Sequence, residues 1–467
     1  MSIKGLVAGV TASPSPSPAP IVDPAAPLGT VSKITATFNG DTTTAKGITW
    51  YTTQKSGNSD LQVVKKTSAT ADFENATKFT GRVSIATNAA TELVHKAEAT
   101  GLMAGTTYFY RVGDEALNLW SEVGTFKTAN ANGAFTFIDL ADTQAKDESE
   151  ATLSSETIAK SLATVSNADF VALNGDIVDT GSNEAQWNWV LGHSQASLLN
   201  TTLVAAPGNH EAQANSYMEH LNVKPAPNSP TTSGAYFSYN YSNAHFMVLN
   251  NNETSTQYSD FTPAQIQWMK DDAAAAKTAG AKWIIIIMHK GPYTTSNHAT
   301  DSDIMGATGV RTLVAPIMAE IGADMVLQGH DHIYARSKPI KNGTATATTK
   351  ITELLNGRNV EYTVNPDGSI FVTPNTAGPK VYYRNKTIAP SYYDLFELAD
   401  EHHAAAYGAE PSDPSRPVRG QIQNFMGITV DGDKLTAITY EIDQSKDNAQ
   451  PYIIDQFGII KKEYKDY

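Results

Sequence analysis

Five short apolar runs in the later part of this 467-residue chain each end in a polar cluster, and no other pattern in it restricts the fold as tightly. Phe135-Thr136-Phe137-Ile138-Asp139-Leu140 leads to Asp142-Thr143-Gln144, and Phe170-Val171-Ala172-Leu173 leads to Gly175-Asp176-Ile177-Val178-Asp179. Leu203-Val204-Ala205-Ala206 leads to Gly208-Asn209-His210-Glu211. Trp283–Met288, with four consecutive isoleucines, leads to His289, and Met325-Val326-Leu327 leads to Gly329-His330-Asp331-His332. Apolar runs this short, bounded by turn residues, read as buried strands. Open α/β sheets hold their ligands just beyond the carboxyl ends of such strands.

Helical patterns fill the intervals. Ser154–Val165 and Glu184–Leu199 have helical spacing. Thr262-Pro263-Ala264-Gln265 opens a helix with Thr262 as N-cap, Pro263 at the first position and Gln265 closing a capping box; it runs to Ala279 and stops at Gly280. A further helix spans Gly309–Ile321. Strands alternating with helices predict an α/β domain over residues 130–467. Its last strands, Ser369–Val372, Gly427–Val430 and Lys434–Ile438, have no long helix between them except one near Tyr392–Tyr407, so antiparallel strands are expected to close the sheets.

Residues 30–129 have a different texture. Ile34–Phe38, Gly47–Tyr51, Leu61–Val64 and Thr107–Val112 alternate with period two between Gly, Asn, Asp and Ser, which predicts an all-β sandwich. Gly101-Leu102-Met103-Ala104-Gly105-Thr106-Thr107-Tyr108 resembles the tyrosine-corner segment of fibronectin-III-like sandwiches. No histidine or carboxylate cluster falls in this region. Residues 1–29 are rich in Pro, Ser and Ala and read as a linker or tail.

Composition narrows the chemistry. A net charge of −14 argues against nucleic-acid binding, and the absence of cysteine excludes disulfides, thiolate ligands and thiol nucleophiles. The four isoleucines are too short a run for a membrane span, so none is expected. The N-terminal residues make a poor signal peptide, yet a Pro-rich linker suits an exported protein, and a secreted or cell-surface location is expected. Oligomeric state leaves no trace.

His330 and His332, two residues apart in extended backbone, face one side and can share a small volume. An aspartate after a strand is ordinarily a turn or cap residue, and Asn-His is ordinarily loop. Five clusters at five strand ends call for another explanation: imidazole and carboxylate oxygen suit two divalent metals, a pair that clamps the attacking and leaving oxygens of a phosphoryl displacement. Asp176, central in the order, is the natural bridge.

The series Asp142-x-Gln144, Gly175-Asp176, Gly208-Asn209-His210, His289 and Gly329-His330-x-His332 resembles the calcineurin-like metallophosphoesterase superfamily over residues 133–445. Within it the chain resembles purple acid phosphatases and their bacterial relatives, through the leading sandwich with Tyr108–Asp114, Tyr334 and Arg336 after the histidine pair, and His298 nine residues past His289. The resemblance implies an α/β two-sheet sandwich flanked by helices, behind the fibronectin-III-like domain. It implies two divalent or trivalent ions, with iron, zinc or manganese as the choices. Asp142, Asp176 and His332 would hold the first; Asp176, Asn209, His289 and His330 the second. His210 and His298 would be catalytic, contacting the substrate phosphate together with Asn209 and protonating the leaving group. A metal-activated hydroxide would attack a small phosphate ester in line.

The chain departs from the purple enzymes at three positions. Asp179 replaces the tyrosine that binds ferric iron and gives the colour, so no purple band is expected. Gln144 stands where they have glycine and is assigned to the first metal, with Asp179 assigned outside the ligand set. Ala299 replaces a second substrate histidine. His193, His220, His245, His402 and His403 fall outside the motifs and are expected to be structural, Trp187, Trp189 and Trp268 to be core, and Asp147-Glu148-Glu150 to be a solvated face. The leading expectation is phosphomonoester hydrolysis. Phosphodiesterase or nucleotide pyrophosphohydrolase activity is the enzymatic alternative, and a non-catalytic cell-surface binding protein the other.

Overall fold

A computed structural model describes residues 22–212, 215–253, 261–399 and 418–462 of the protein. Most of the Pro-rich segment lies outside these residues, as do His402 and His403. The described part divides as the change of texture suggests, into an all-β sandwich and an α/β unit of two packed sheets.

In the sandwich, Ser32–Thr37, Lys46–Thr53, Ala89–Ala99 and Arg82–Ala86 form one sheet in that order. Thr77–Thr80, Asp60–Lys65, Thr107–Asp114 and Leu119–Trp120 form the other, with Gly124–Lys127 also on Thr107–Asp114. Alternate residues of both, including Ile48, Trp50, Leu61, Val63, Tyr110 and Val112, meet in one core. The tyrosine corner is present: the Met103 N–H donates to the Tyr108 hydroxyl at 2.9 Å.

In the second unit, Phe135–Leu140, Phe170–Leu173 and Leu203–Ala205 are parallel neighbours, so their carboxyl ends share one edge. Ile422–Asp431, Lys434–Asp443 and Tyr452–Ile460 extend this sheet in that order, each antiparallel to its neighbour, with Ile422–Asp431 antiparallel to Phe135–Leu140. The other sheet carries Ala244–Val248, Trp283–Lys290, Met325–Gly329 and Ile370–Pro374 in parallel order. The isoleucine run shows why both faces are apolar. Ile285 and Ile287 face the core between the sheets, while Ile284, Ile286 and Met288 face an outer core under helices Pro263–Thr278 and Ala315–Ile321. Truncating one of these side chains to alanine removes about 2–5 kcal/mol of stability. Tyr334 and Arg336 reach across to Asp455 at 2.7 Å each and join the two sheets.

Several expectations shift. The helix placed at Ser154 begins at Glu148: Asp147 caps it by accepting from the Glu150 N–H at 3.0 Å, and Glu150 returns a bond to the Lys146 N–H. Asp147 and Glu150 are therefore a capping device, and of the acidic group Glu148 alone is the exposed face expected. Thr262 caps its helix as expected, but Glu253 takes the reciprocal bond from the Thr262 N–H at 2.8 Å, because Gln265 is turned toward Asn250. Helix Glu184–Leu199 breaks at Ser194. Near Tyr392 the chain forms only a 3₁₀ turn, Pro390–Leu395, then strand Phe396–Leu398; the rest of that predicted helix lies outside the described residues. Ser302–Ile321 is long and apolar enough to cross a membrane by composition. It is instead three short helices, Ser302–Met305, Val310–Leu313 and Ala315–Ile321, with Ile304, Val310, Val314 and Met318 in the outer core.

The sandwich is seated on the α/β unit through polar and apolar contacts. Thr37 donates to the Asn222 carbonyl at 2.7 Å, Tyr110 to the Leu199 carbonyl at 3.1 Å, and Ile34 N–H to Gln195 at 2.7 Å. Lys33 pairs with Glu184, which also meets His220 at 3.1 Å; that histidine stacks on Trp187 with ring centres 3.8 Å apart. Lys46 is buried at the same junction. Its ammonium meets Thr202 at 2.9 Å and the Lys127 carbonyl at 3.2 Å, and among the described residues no carboxylate lies within 4.0 Å of it. Burial lowers it from 10.5 to about 7. Between those two values the unfolded chain holds a proton that the folded chain lacks, so this lysine weakens the fold as pH falls from about 10.5 toward 7. Lys46→Met keeps the stem and removes the charge. Its melting temperature at pH 7 should exceed wild type by about 2 °C or more, with the gap closing toward pH 10. A melting temperature several degrees below wild type at pH 7, in differential scanning fluorimetry, would contradict this reading.

Candidate metal centre

The loops after the parallel strands bring the sequence clusters together at one edge. Asp142 and Asp176 are 0% and 1% exposed, and neither meets a lysine or arginine within 4.0 Å among the described residues. Their partners are imidazoles. Asp176 Oδ2 lies 3.0 Å from His289 Nε2 and 3.8 Å from His210 Nε2, and Asp142 Oδ1 lies 3.4 Å from His332 Nε2.

Backbone geometry shows how tightly these loops are drawn. Asp142, Gln144, Asp176 and His330 all have positive φ, at 55°, 30°, 51° and 71°. Side chains other than glycine adopt this region at a cost, and such residues gather at functional sites. The motif glycines permit the close approach. A Cβ on Gly208 would lie 2.1 Å from Asp176 N, one on Gly175 2.6 Å from His289 Nδ1, and one on Gly329 2.5 Å from the Asn174 carbonyl. Glu211 holds the third loop by accepting from the Val178 and Gly208 N–H groups at 3.1 Å each; burial, then Asp176, raises its carboxyl to about 8.

Hydrogen bonds set the imidazole tautomers. His289 Nδ1 meets the Asn174 carbonyl at 2.8 Å and His332 Nδ1 meets the Lys380 carbonyl at 2.9 Å. A carbonyl only accepts, so each Nδ1 carries hydrogen and each Nε2 is the atom left to face the carboxylates. Asn209 Oδ1 is also 3.0 Å from His289 Nε2. Imidazole Nε2, carboxylate oxygen and amide oxygen thus converge, an arrangement that a proton on Nε2 or a metal ion in its place would satisfy. Burial would raise Asp176, but His289 and His210 overcome it and hold this carboxyl well below the usual range. Burial would lower His289, but Asp176 and then Asp142 outweigh it and raise the ring to about 9. Burial, then the charges of His298 and Lys290, hold His330 well below the ordinary imidazole value, leaving a neutral ring suited to a metal. Asp176, His289 and His330 place ligand atoms within 4.8 Å of one another.

The other predicted residues fall around this cluster. His210 Nδ1 donates to the Asp179 carbonyl, so its Nε2 accepts from Gln144 Nε2 at 2.6 Å. Gln144 Oε1 is then left buried with no hydrogen-bond partner. An acceptor in that state beside Asp142 and Asp176 fits a metal ligand. The Asp179 carboxylate is instead engaged by Lys380 Nζ at 3.0 Å. His298 lies on the 3₁₀ turn Asn297–Thr300, stacked on His330 with ring centres 3.9 Å apart, and its Nδ1 meets Asp301 at 2.7 Å. Burial would lower His298, but Asp301 and the more distant Asp331 and Asp303 raise it overall. Tyr334 and Arg336, part of the resemblance, point to Asp455 and not into the site.

Three contributors have no signal in the local sequence. Lys380 supplies both the partner of Asp179 and the carbonyl that orients His332. Tyr382 packs beside His332 and His298, with ring centres 4.9 and 5.5 Å away. Asp331, between the two histidines, turns its carboxylate to Thr294 and the Ser296 N–H. His193, His220 and His245 stay out of the cluster, bonded to Glu148, Glu184 and Asp272. A cavity of about 770 Å³ lies away from it, between Gly40–Thr43 and His245, Trp268 and Asp272.

Comparison with known proteins follows this division. Residues 31–128 match the purple acid phosphatase N-terminal domain, and residues 140–334 match the calcineurin-like phosphoesterases. Purple acid phosphatase 22 of Arabidopsis thaliana is 24% identical over 262 residues, covering 54% of this chain and 55% of that protein. An uncharacterized Mycobacterium tuberculosis protein is 24% identical over 201 residues, covering 38% and 36%. The chain thus spans about half the length of the plant relative. Among solved structures, a purple acid phosphatase from yellow lupin seeds superposes with a TM-score of 0.69 at 15% identity, over 93% of this chain and 75% of that one. PhoD superposes with a TM-score of 0.62 at 12% identity, over 96% and 92%. With its leading sandwich and its strand-end cluster of acids and imidazoles, the chain carries a purple acid phosphatase N-terminal domain followed by a calcineurin-like phosphoesterase domain.

Proposed function

We propose that the protein hydrolyses phosphomonoesters at a binuclear metal centre. The convergence of His289 Nε2, Asp176 Oδ2 and Asn209 Oδ1 carries this reading, because with hydrogen fixed on Nδ1 these three atoms are a donor set that a metal ion can take in place of the Nε2 proton. The matched plant relatives are phosphatases by name, which favours monoesters as the substrate class. Asp142, Gln144, Asp176 and His332 would hold one ion, and Asp176, Asn209, His289 and His330 the other. When bound, the ions supply Lewis acidity and an activated water for attack at phosphorus.

The chain's own groups handle orientation and protons. Asn174 and Lys380 keep the two ligand imidazoles in the tautomer that binds metal. His210, fixed by the Asp179 carbonyl and Gln144, presents its Nε2 edge beside Asp176 and is positioned to contact a phosphoryl oxygen. His298, fixed through Nδ1 by Asp301, keeps Nε2 for substrate. As the P–O bond to the alcohol breaks and the bond from phosphorus to water oxygen forms, a proton passes from His298 to the leaving oxygen.

Assays of p-nitrophenyl phosphate beside its bis ester, with manganese, zinc or iron added, should give the higher rate on the monoester. A higher rate on the bis ester would reverse the substrate assignment. Asp176→Asn preserves shape and removes charge. Elemental mass spectrometry should show fewer than two ions per chain, and turnover should fall by more than the about 10- to 100-fold expected for an outer-shell partner. Unchanged metal content would contradict the bridging role. His298→Ala should keep both ions and lower kcat/KM by about 10²- to 10⁴-fold on an alkyl phosphate. The loss should be smaller on p-nitrophenyl phosphate, whose leaving group needs no proton. Equal losses on both esters would remove the acid role.

A further inference from the structure

His298 stacks on His330, but the loop that carries it is held by side chains from elsewhere in the fold. Arg311, on helix Val310–Leu313, reaches both ends of that loop. Its Nε donates to the Pro292 carbonyl at 2.7 Å and its Nη2 to the Ala299 carbonyl at 3.4 Å. The same Nη2 donates to the Tyr392 hydroxyl at 2.9 Å, and that hydroxyl donates to the Thr294 carbonyl at 2.8 Å. From the metal side, Asp331 accepts from the Thr294 hydroxyl and from the Ser296 N–H, the latter at 2.8 Å. Residues 292–299 are therefore gripped on opposite faces, by Asp331 inside and by Arg311 with Tyr392 outside.

Arg311 is an unusual choice for a merely structural contact. It is half-buried, and among the described residues no carboxylate lies within 4.0 Å of it; the rings of Tyr392 and Tyr293, at 4.9 and 5.5 Å, take the place of a counter-ion. Lysine could not replace it, since one ammonium cannot match a planar fork aimed at separate carbonyls. Carbonyls at both loop ends are satisfied by one rigid group, so their spacing is fixed, and with it the turn that stacks His298 on His330.

We propose that Arg311, acting with Tyr392, is a positioning residue that sets the placement of His298 over the metal centre without touching substrate or metal. This rests on the role given to His298 under the proposed function. The test is a double-variant cycle on an alkyl phosphate with both ions loaded. Arg311→Ala should lower kcat/KM by about 10- to 100-fold, as small displacements of a catalytic group do, with two ions retained by elemental mass spectrometry. Arg311 also lines a cavity of about 420 Å³ with Tyr293 and Tyr392, so the truncated side chain leaves open space. Millimolar guanidinium should restore part of the rate in Arg311→Ala and none in His298→Ala. Arg311→Lys should recover less than guanidinium, and Tyr392→Phe should show a smaller loss in the same direction. Arg311→Ala combined with His298→Ala should be no slower than His298→Ala alone.

Multiplying losses in the double variant, loss of metal, or wild-type activity in Arg311→Ala would overturn the proposal while leaving the role of His298 standing. Wild-type activity in His298→Ala would remove that role and this proposal together. Should Arg311→Ala fail to fold, Tyr392→Phe in the two backgrounds decides by the same criteria.

Discussion

Two buried carboxylates without a lysine or arginine partner govern the design of this protein. Asp142 and Asp176 lie at the edge of a sheet, almost wholly shielded from water, with imidazoles and the His330 and His210 backbone N–H groups against them. Uncompensated charge in such a place is strongly unfavourable, and a cation between the acceptors removes the conflict. Other local features serve this arrangement. Asn174 and Lys380 turn imidazole Nε2 atoms inward, the glycines let loops approach within reach, and four ligand-region residues accept left-handed backbone. Glu211 then clamps the second and third loops together.

The frame that tolerates this tension is rigid. Parallel strands place the loop starts along one edge, and alternation along the isoleucine run fixes them between two cores. Asp455 joins the sheets through Tyr334 and Arg336 on the far strands. The sandwich contributes no ligand. It covers Leu199, Gln195 and Asn222, whose backbone and amide groups it satisfies.

How much of this could be read in the sequence depended on distance along the chain. Strand ends and their Asp, Asn and His clusters are local patterns, so they were legible, and so was the alternation that separates sandwich from α/β unit. Lys380 was not, because it meets Asp179 from 201 residues away and nothing around it forms a motif. Arg311 was hidden for the same reason. Asp147 and Glu150 were misjudged because a cap and a solvated acidic face have the same composition; only the Glu150 N–H bond tells them apart. Gln265 failed as a capping-box residue because tertiary partners, Asn250 and Glu253, outcompeted the local one.

Asp179 carries the largest functional consequence of a single departure from the purple enzymes. Paired with Lys380, it would add no net charge beside the proposed first ion, and the neutral amide of Gln144 would complete a ligand set with less negative charge than a tyrosinate would give. Anomalous scattering from crystals soaked in manganese or zinc tests the central claim most directly. The account predicts two peaks per chain, one among Asp142, Gln144, Asp176 and His332, the other among Asp176, Asn209, His289 and His330. A single peak, or one seated between His298 and Asp301 with the strand-end cluster empty, would contradict it.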